Sequence, residues 1–228
     1  VLGGDLLGVR IRRIHLEEDT GRLLHDEKGA TLVDFNRAGV PLMELVTEPD
    51  IKSGGEALAF AKELQLILRY LGVSDADMEK GQMRLEANVS LSETADSRGM
   101  NANQRGSGLR ESVSGQRESA LGTKVELKNI NSFRAAGDAI AYELKRQEEI
   151  LESGGKVEQE TRGWDDVKKK TVSQRTKEEA HDYRYFPEPD LPSFETSVFE
   201  IENLKVSLPE LPKEKRIRFA SEYGLNEK

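Results

Sequence analysis

Between Gln82 and Ser92 apolar and polar residues alternate without a break: Met83, Leu85, Ala87, Val89 and Leu91 against Gln82, Arg84, Glu86, Asn88 and Ser90. Successive side chains of a strand point to opposite faces, so this segment is a strand with one oily and one polar face. Lys124 to Asn129 repeats the pattern, with Val125 and Leu127 opposing Lys124, Glu126 and Lys128. The two segments can pair as an antiparallel ribbon whose polar faces meet. The stretch between them, Glu93 to Leu121, is dense in Ser, Gly, Asn, Gln and Arg. It is read as a flexible insertion, an overgrown hairpin loop.

Helical spacing occurs twice. Phe60, Leu64, Ile67, Leu68 and Leu71 share one face of a helix that opens at Ser53, an N-cap with Glu56 three residues on, and stops at Gly72. Phe133, Ala136, Ile140, Leu144 and Leu151 form the stripe of a second helix, Phe133 to Glu152, ended by Gly154-Gly155. Shorter apolar runs read as strands at Val9 to Leu16, Thr31 to Phe35, Leu42 to Val46, Val157 to Arg162 and Lys170 to Thr176. Asp182 to Pro192 carries three prolines and reads as an ordered, irregular loop. A charged helical stretch follows at Lys213 to Tyr223. Strands and helices mix without regular βαβ alternation, so the expected class is α+β, a largely antiparallel sheet with flanking helices.

Composition narrows the function. The 228 residues suffice for one large domain or two small ones. The net charge of −8 argues against a protein that coats nucleic acid non-specifically, which needs a basic surface, but leaves room for a local basic pocket. The absence of cysteine excludes disulfide scaffolds, thiolate zinc sites and cysteine nucleophiles. No apolar run approaches the roughly 20 residues that span a bilayer, and no signal peptide is visible. A cytoplasmic protein without a membrane partner is expected. The chain opens Val-Leu-Gly-Gly without Met and is read as part of a longer protein.

Neither a Walker-type glycine loop nor a nucleophile elbow is present. What recurs is acidic and basic residues on polar strand faces. His15, Glu17 and Asp19 oppose Ile14 and Leu16; Glu44 opposes Met43 and Leu45; Glu86 sits between Arg84 and Asn88, and Glu126 between Lys124 and Lys128. Four carboxylates converging on one sheet face repel unless cations lie between them. Mg²⁺ takes oxygen ligands and bridges substrate phosphates, so the pattern suits ATP-dependent phosphoryl transfer. Each element also has a plainer reading. A carboxylate on a polar strand face is more often solvated than ligating, and Glu44 can serve in a simple ion pair. A lone histidine such as His15 is more often structural than a ligand. Trp164 suits packing as well as stacking, and Arg184 between Tyr183 and Tyr185 can reach an anion.

Seven segments carry a family resemblance: IHLEEDTGRLLHD, VDFNRAGVPLMELVTEPDI, GQMRLEANVSLS, GTKVELKNINSF, KRQEEILESGG, QETRGWDD and DYRYFPEPDLP. In this order they resemble the GatB family, the B subunits of the glutamyl-tRNA(Gln)/aspartyl-tRNA(Asn) amidotransferases. The resemblance covers nearly the whole chain apart from the insertion. NLKVSLPELPKEKRIRFASEYGL resembles the junction where that family enters a helical domain. The implied organisation is a catalytic domain over 1–202 with a flexible insertion at 93–121, and the start of a helical domain over 203–228.

The resemblance implies a cradle-shaped domain like the catalytic sheet of glutamine synthetase. It implies ATP and Mg²⁺ as cofactors. The expected partners are a glutaminase (A) subunit, a small (C) subunit, and misacylated Glu-tRNA(Gln) or Asp-tRNA(Asn). The side-chain carboxylate of the misacylated tRNA is phosphorylated, and ammonia released by the glutaminase subunit then displaces the phosphate. Carried over by position, Glu17, Glu44 and Glu126 match Mg²⁺ ligands, and Glu18 matches an acidic residue at the mouth of the ammonia tunnel. Arg84 and Glu86 match a charged pair along that route, with Glu where many members have Asp. Lys124, Lys128 and Arg184 match phosphate contacts less closely. Departures are the lack of the family's N-terminal strand, with its additional Glu and His, of the zinc segment some members carry, and of the C-terminal tRNA-binding tail. Alternatives are the archaeal Glu-tRNA(Gln)-specific paralogue, a non-catalytic scaffold that docks the amidase subunit, and a small-molecule ligase of glutamine-synthetase type. Retention of the carboxylates weighs against the scaffold.

Overall fold

The computed structural model describes residues 3–25, 29–93, 109–112, 122–176, 191–192, 195 and 201–225. It is an α+β chain with three hydrogen-bonded sheets among these residues. In chain order the elements are β1 (Asp5–Leu6), β2 (Val9–Glu18), β3 (Arg22–His25), β4 (Thr31–Asp34), β5 (Pro41–Thr47), α1 (Gly54–Tyr70), β6 (Leu85–Glu93), β7 (Leu109–Ser112), β8 (Val125–Ile130), α2 (Phe133–Glu152), β9 (Glu160–Asp165), β10 (Lys170–Thr176), α3 (Ile201–Ser207) and α4 (Pro212–Tyr223). The chain divides into two compact units. The first holds the described residues of 1–5, 10–48 and 181–206, the second those of 6–9, 49–180 and 207–228.

Strands β1-β2-β5 form one sheet, and β3-β4 a separate hairpin. The β2/β5 ladder is antiparallel and pairs His15 with Glu44 and Glu17 with Leu42. A register shift between Ile11 and Arg13 puts Arg12 in a bulge. The turn ahead of β5 is tied to the end of β2 by Gly39 N–H donating to Asp19 O at 2.9 Å and Asp19 N–H donating to Val40 O at 3.0 Å. Arg37 Nε lies 3.2 Å from the Asp19 carboxylate, so this acidic residue anchors the turn.

The second unit holds the core. Its five-stranded sheet runs β10-β9-β8-β6-β7, and α2 covers it. Val89, Leu91, Val125 and Leu127 from the oily strand faces meet Ala136, Ala139, Ile140 and Leu144 of α2. The ribbon expected from the two alternating segments forms: β6 and β8 pair antiparallel. Within the stretch expected to be a flexible loop, Leu109–Ser112 is a strand paired with Ser90–Glu93, while 94–108 and 113–121 lie outside the described residues. A parallel ladder joins β8 to β9, with α2 as the crossover that parallel neighbours require. Both long helices begin where the sequence indicates. Ser53 Oγ accepts from Glu56 N–H at 3.2 Å and Ser132 Oγ from Ala135 N–H at 3.1 Å. The helices approach closely, because a Cβ on Gly137 would lie 3.0 Å from Leu58 Cδ1.

The helical stretch α4 packs on α1 within this unit. Arg216 donates to Glu63 at 2.6 Å and Lys215 Nζ sits 4.8 Å from the Tyr70 ring centre. Among the described residues no helix is long and apolar enough to cross a membrane.

One feature of the core is absent from the hydrophobic stripe. Glu143 and Gln147, both fully buried, lie on the inner face of α2. Glu143 accepts from Arg146 on both oxygens, at 2.7 and 2.9 Å, from Gln147 Nε2 at 2.9 Å, and from the Thr171 hydroxyl at 3.1 Å. Arg162 binds Glu160 at 2.6 Å and the Thr171 hydroxyl oxygen at 2.8 Å. Gln147 also accepts from Leu91 N–H and donates to Val89 O, each at 3.1 Å. Helix, parallel strand and hairpin are thereby cross-linked through one carboxylate.

Replacing Glu143 by Ala leaves Arg146 and Arg162 without it, and should cost about 3–5 kcal/mol in chemical denaturation. Glu143→Gln, which keeps the volume and one acceptor, should cost less. Glu160 supplies the pH dependence. Burial pushes its carboxyl up, but hydrogen bonds from Ser173 and Arg162 and the charges of Arg162 and Arg146 outweigh this and hold it below the ordinary 4.5. A lowered folded-state pKa means that the unfolded chain binds more protons at acid pH. The stabilisation from Glu160 is therefore complete above pH 4.5 and disappears as pH falls through the folded pKa. The thermal midpoint of Glu160→Gln should show a smaller acid-side decline than wild type.

Candidate functional site

The first unit brings three metal-ligating side chains together. His15 and Glu17 stand two residues apart on the same face of β2, and Glu44 is paired directly across from His15 on β5. His15 Nε2 lies 2.6 Å from Glu17 Oε1, and His15 Nδ1 lies 3.4 Å from Glu44 Oε2. One ligand atom from each of the three residues falls within 4.8 Å of the others. Arg13, two residues before His15, donates to Glu44 Oε2 at 3.3 Å. All four side chains are partly open to solvent, Glu44 the most at 46 %.

The donor set fits a divalent cation. Two carboxylates suit hard Mg²⁺ and Mn²⁺, and the imidazole beside them widens the set toward transition-metal ions. Glu18 points to the other face of β2, as its phase requires, and lies against the turn, where a Cβ on Gly39 would come within 3.4 Å of Glu18 Oε1.

Glu126 and Glu86 belong to the second unit, and the expectation of four carboxylates on one sheet face is corrected here. Glu17 and Glu44 lie on the β1-β2-β5 sheet, Glu86 and Glu126 on the five-stranded one. The chain leaves β5 for α1 instead of turning back as a hairpin, so β6 opens a new ladder with β8. In that ladder two residues of β8, Lys128 and Asn129, oppose the single Glu86 between the pairs Leu85/Ile130 and Ala87/Leu127. Asn129 takes a left-handed φ of 57° at this bulge. The extra residue shifts the alternation by one, so Val125, Leu127 and Ile130 all enter the core while Glu126 and Lys128 stay on the polar face. Gly163, beside Lys128 on β9, leaves room for the side chains here, since a Cβ would meet Asn129 Nδ2 at 3.3 Å and would clash with Gln174.

Lys128 Nζ bridges Glu86 at 3.3 Å and Glu126 at 3.6 Å. Burial opposes its charge, yet the two carboxylates prevail and hold its pKa above the usual lysine value. The Thr161 hydroxyl donates to Glu126 Oε2 at 2.8 Å. Arg84 and Lys124 are exposed, each one residue ahead of its strand. Arg184 lies outside the described residues. Trp164 packs edge-on to Tyr142 against the core, with its indole N–H on Asp166. Asp19, read as a neighbour of His15 and Glu17, instead caps the turn through Arg37.

Sequence reasoning set His15 aside as a lone histidine and left Arg13 out. The signal for both was present in the Arg13-x-His15-x-Glu17 spacing, which puts all three on one strand face.

An α+β chain with acidic strand faces, each carrying its own basic partner, is the class defined so far, and comparison with known proteins makes it specific. Residues 4–202 match the GatB/GatE catalytic domain, and the chain belongs to that family. It is 49% identical over 227 residues to the aspartyl/glutamyl-tRNA(Asn/Gln) amidotransferase B subunit of Caldicellulosiruptor saccharolyticus, an alignment that covers 99% of this chain and 43% of that protein. The corresponding B subunits of Thermodesulfovibrio yellowstonii and Caulobacter vibrioides are each 48% identical, over 225 and 224 residues, covering 99% and 98% of this chain and 43% of each of theirs. The chain thus spans less than half the length of these curated relatives.

The bulge that aims Lys128 is testable by itself. A β-branched side chain at a left-handed φ is penalised, so Asn129→Val should lose about 1–2 kcal/mol or more in denaturant titration. Asn129→Gly should stay close to wild type.

Proposed function

We propose that the chain is the catalytic portion of the B subunit of a tRNA-dependent amidotransferase. The reaction is ATP-dependent activation of the side-chain carboxylate of Glu-tRNA(Gln) or Asp-tRNA(Asn), followed by amidation. A carboxylate oxygen of the aminoacyl group attacks the γ-phosphorus of ATP, giving an acyl phosphate and ADP. Ammonia from a glutaminase (A) subunit then attacks the acyl carbon, and inorganic phosphate leaves. The assembly is completed by a small (C) subunit, and the cell compartment is the cytoplasm. Membership of the family supports this reading, and the single observation that carries it is the cross-strand pairing of His15 with Glu44 beside Glu17.

In this reading Glu17, Glu44 and His15 hold Mg²⁺, which supplies neutralisation of phosphate charge when bound. Glu126, on the second unit, is held by Thr161 and Lys128. Lys128 and the exposed Lys124 offer ammonium groups to phosphate oxygens, as does the Arg184 guanidinium. Glu18, on the other strand face, is assigned to the ammonia route and not to the phosphates; Arg84 and Glu86, on the second unit, are assigned to that route by family position alone.

The test uses the full-length protein in its complex. Glu44→Gln should abolish ATP-dependent phosphorylation of Glu-tRNA while tRNA binding persists, because tRNA affinity derives from basic surface and not from this anionic cluster. Glu18→Gln should lose ammonia-dependent amide formation to a greater degree than phosphorylation. Loss of both activities in equal proportion by the two variants would refute the division of roles.

A further inference from the structure

Arg13 has no part in the reading above, yet it is the side chain that fills the cluster. It shares the strand phase of His15 and Glu17, and its guanidinium reaches both members of the cross-strand pair. Nε donates to His15 Nδ1 at 3.4 Å and Nη2 to Glu44 Oε2 at 3.3 Å. His15 Nε2 is engaged with Glu17 at 2.6 Å, so Nδ1 is the ring nitrogen turned toward Arg13 and Glu44. His15 Nδ1 and Glu44 Oε2, each in a group that could ligate a metal ion, therefore both face a cation already.

The hold is loose. The contact to Glu44 lies beyond the usual N–H···O range of about 2.7–3.2 Å and the N–H···N contact to His15 is longer still, whereas Arg146 closes on the buried Glu143 at 2.7 and 2.9 Å. Water reaches the cluster as well, since the Glu44 side chain is 46 % exposed. A guanidinium cannot shed its proton to make way for a second cation, so the two compete for Glu44 Oε2. Without either, Glu17 and Glu44 would repel across the strand pair.

We infer that Arg13 is the resident cation of this cluster, bridging His15 Nδ1 and Glu44 in the place of a divalent ion, and that the ion binds by displacing it. The inference rests on the metal-site reading of the proposed function. Arg13 is then a positioning residue that keeps the ligands gathered in the ion's absence and lowers the affinity they would otherwise show. A merely structural arginine gives the opposite sign, because its loss scatters the ligands and weakens metal binding.

The experiment is a Mn²⁺ titration of the full-length protein in its complex, without nucleotide, read by the electron paramagnetic resonance of free Mn²⁺. Binding at this site is the part lost in Glu44→Gln. Arg13→Met should bind Mn²⁺ there roughly threefold more tightly than wild type, the ratio expected from losing one partly exposed ion pair, with Arg13→Lys in between. Arg12→Met makes the same change in net charge at a guanidinium that reaches Glu48 at 3.9 Å instead, and should match wild type. Equal or weaker binding in Arg13→Met, or an equal gain in Arg12→Met, overturns the exchange and leaves the metal site standing. Mn²⁺ binding that Glu44→Gln does not diminish overturns the metal site and the exchange together. Should Arg13→Met fail to fold, as judged by circular dichroism, Arg13→Gln takes its place with the same expected gain.

Discussion

The fully buried carboxylate of Glu143 is the constraint on which the second unit depends. A charge taken out of water is tolerable only where its lone pairs are filled, and here Arg146, Gln147 and Thr171 fill them. Thr171 comes from β10, so satisfying Glu143 fixes α2 against β10 and, through Arg162 and Glu160, against β9. Gln147 extends the arrangement to the backbone of β6 at Val89 and Leu91. The parallel pairing of β8 with β9 follows, because the crossover helix between them cannot shift along its axis without stripping these bonds. Hydrophobic packing alone tolerates such slippage far better, being non-directional.

Residues in strict alternation announced themselves in the sequence. Met83 to Leu91 and Val125 to Leu127 predicted two strands, their pairing and their buried faces, since a period of two leaves little freedom once one face is oily. Ser53 marked one helix start for an equally local reason, and the apolar stripe from Phe133 marked the other. What escaped was set by distant partners. The β8 bulge shows in the sequence only as Ile130 falling out of phase with Leu127, which reads equally well as a strand end. Glu143 and Gln147 look like the solvated side of an amphipathic helix until β9 and β10 bring Arg162 and Thr171 to them. The division into separate sheets could not be read at all, because a polar strand face looks the same whichever ladder it joins.

The candidate site follows the same logic at smaller separation. His15, Glu17 and Arg13 were legible as one face of β2, but only the β2/β5 register places Glu44 opposite His15 instead of one residue along. A slip of one would turn Glu44 to the face of Leu16 and remove it from the cluster. The bulge at Arg12 and the Asp19–Arg37 turn stand at either end of this ladder and pin the register between them. Residues that touch none of the metal-ligating groups therefore decide whether those groups meet.

Arginine–glutamate pairs thus do two kinds of work in one chain, and depth separates them. Around Glu143 the carboxylate is sealed from water and the two bonds from Arg146 are short, so exchanging that partner means exposing or stranding a charge in the interior. Around Glu44 the oxygens are wetted and the contacts with Arg13 are long, so water or another cation can replace a partner at little cost. A rigid network is suited to holding strands, and a loose one to receiving a ligand. Placing the tight pairs on α2, β9 and β10 and the loose ones on β2 and β5 lets the cluster rearrange its cations without disturbing the hydrogen bonds that keep the core together.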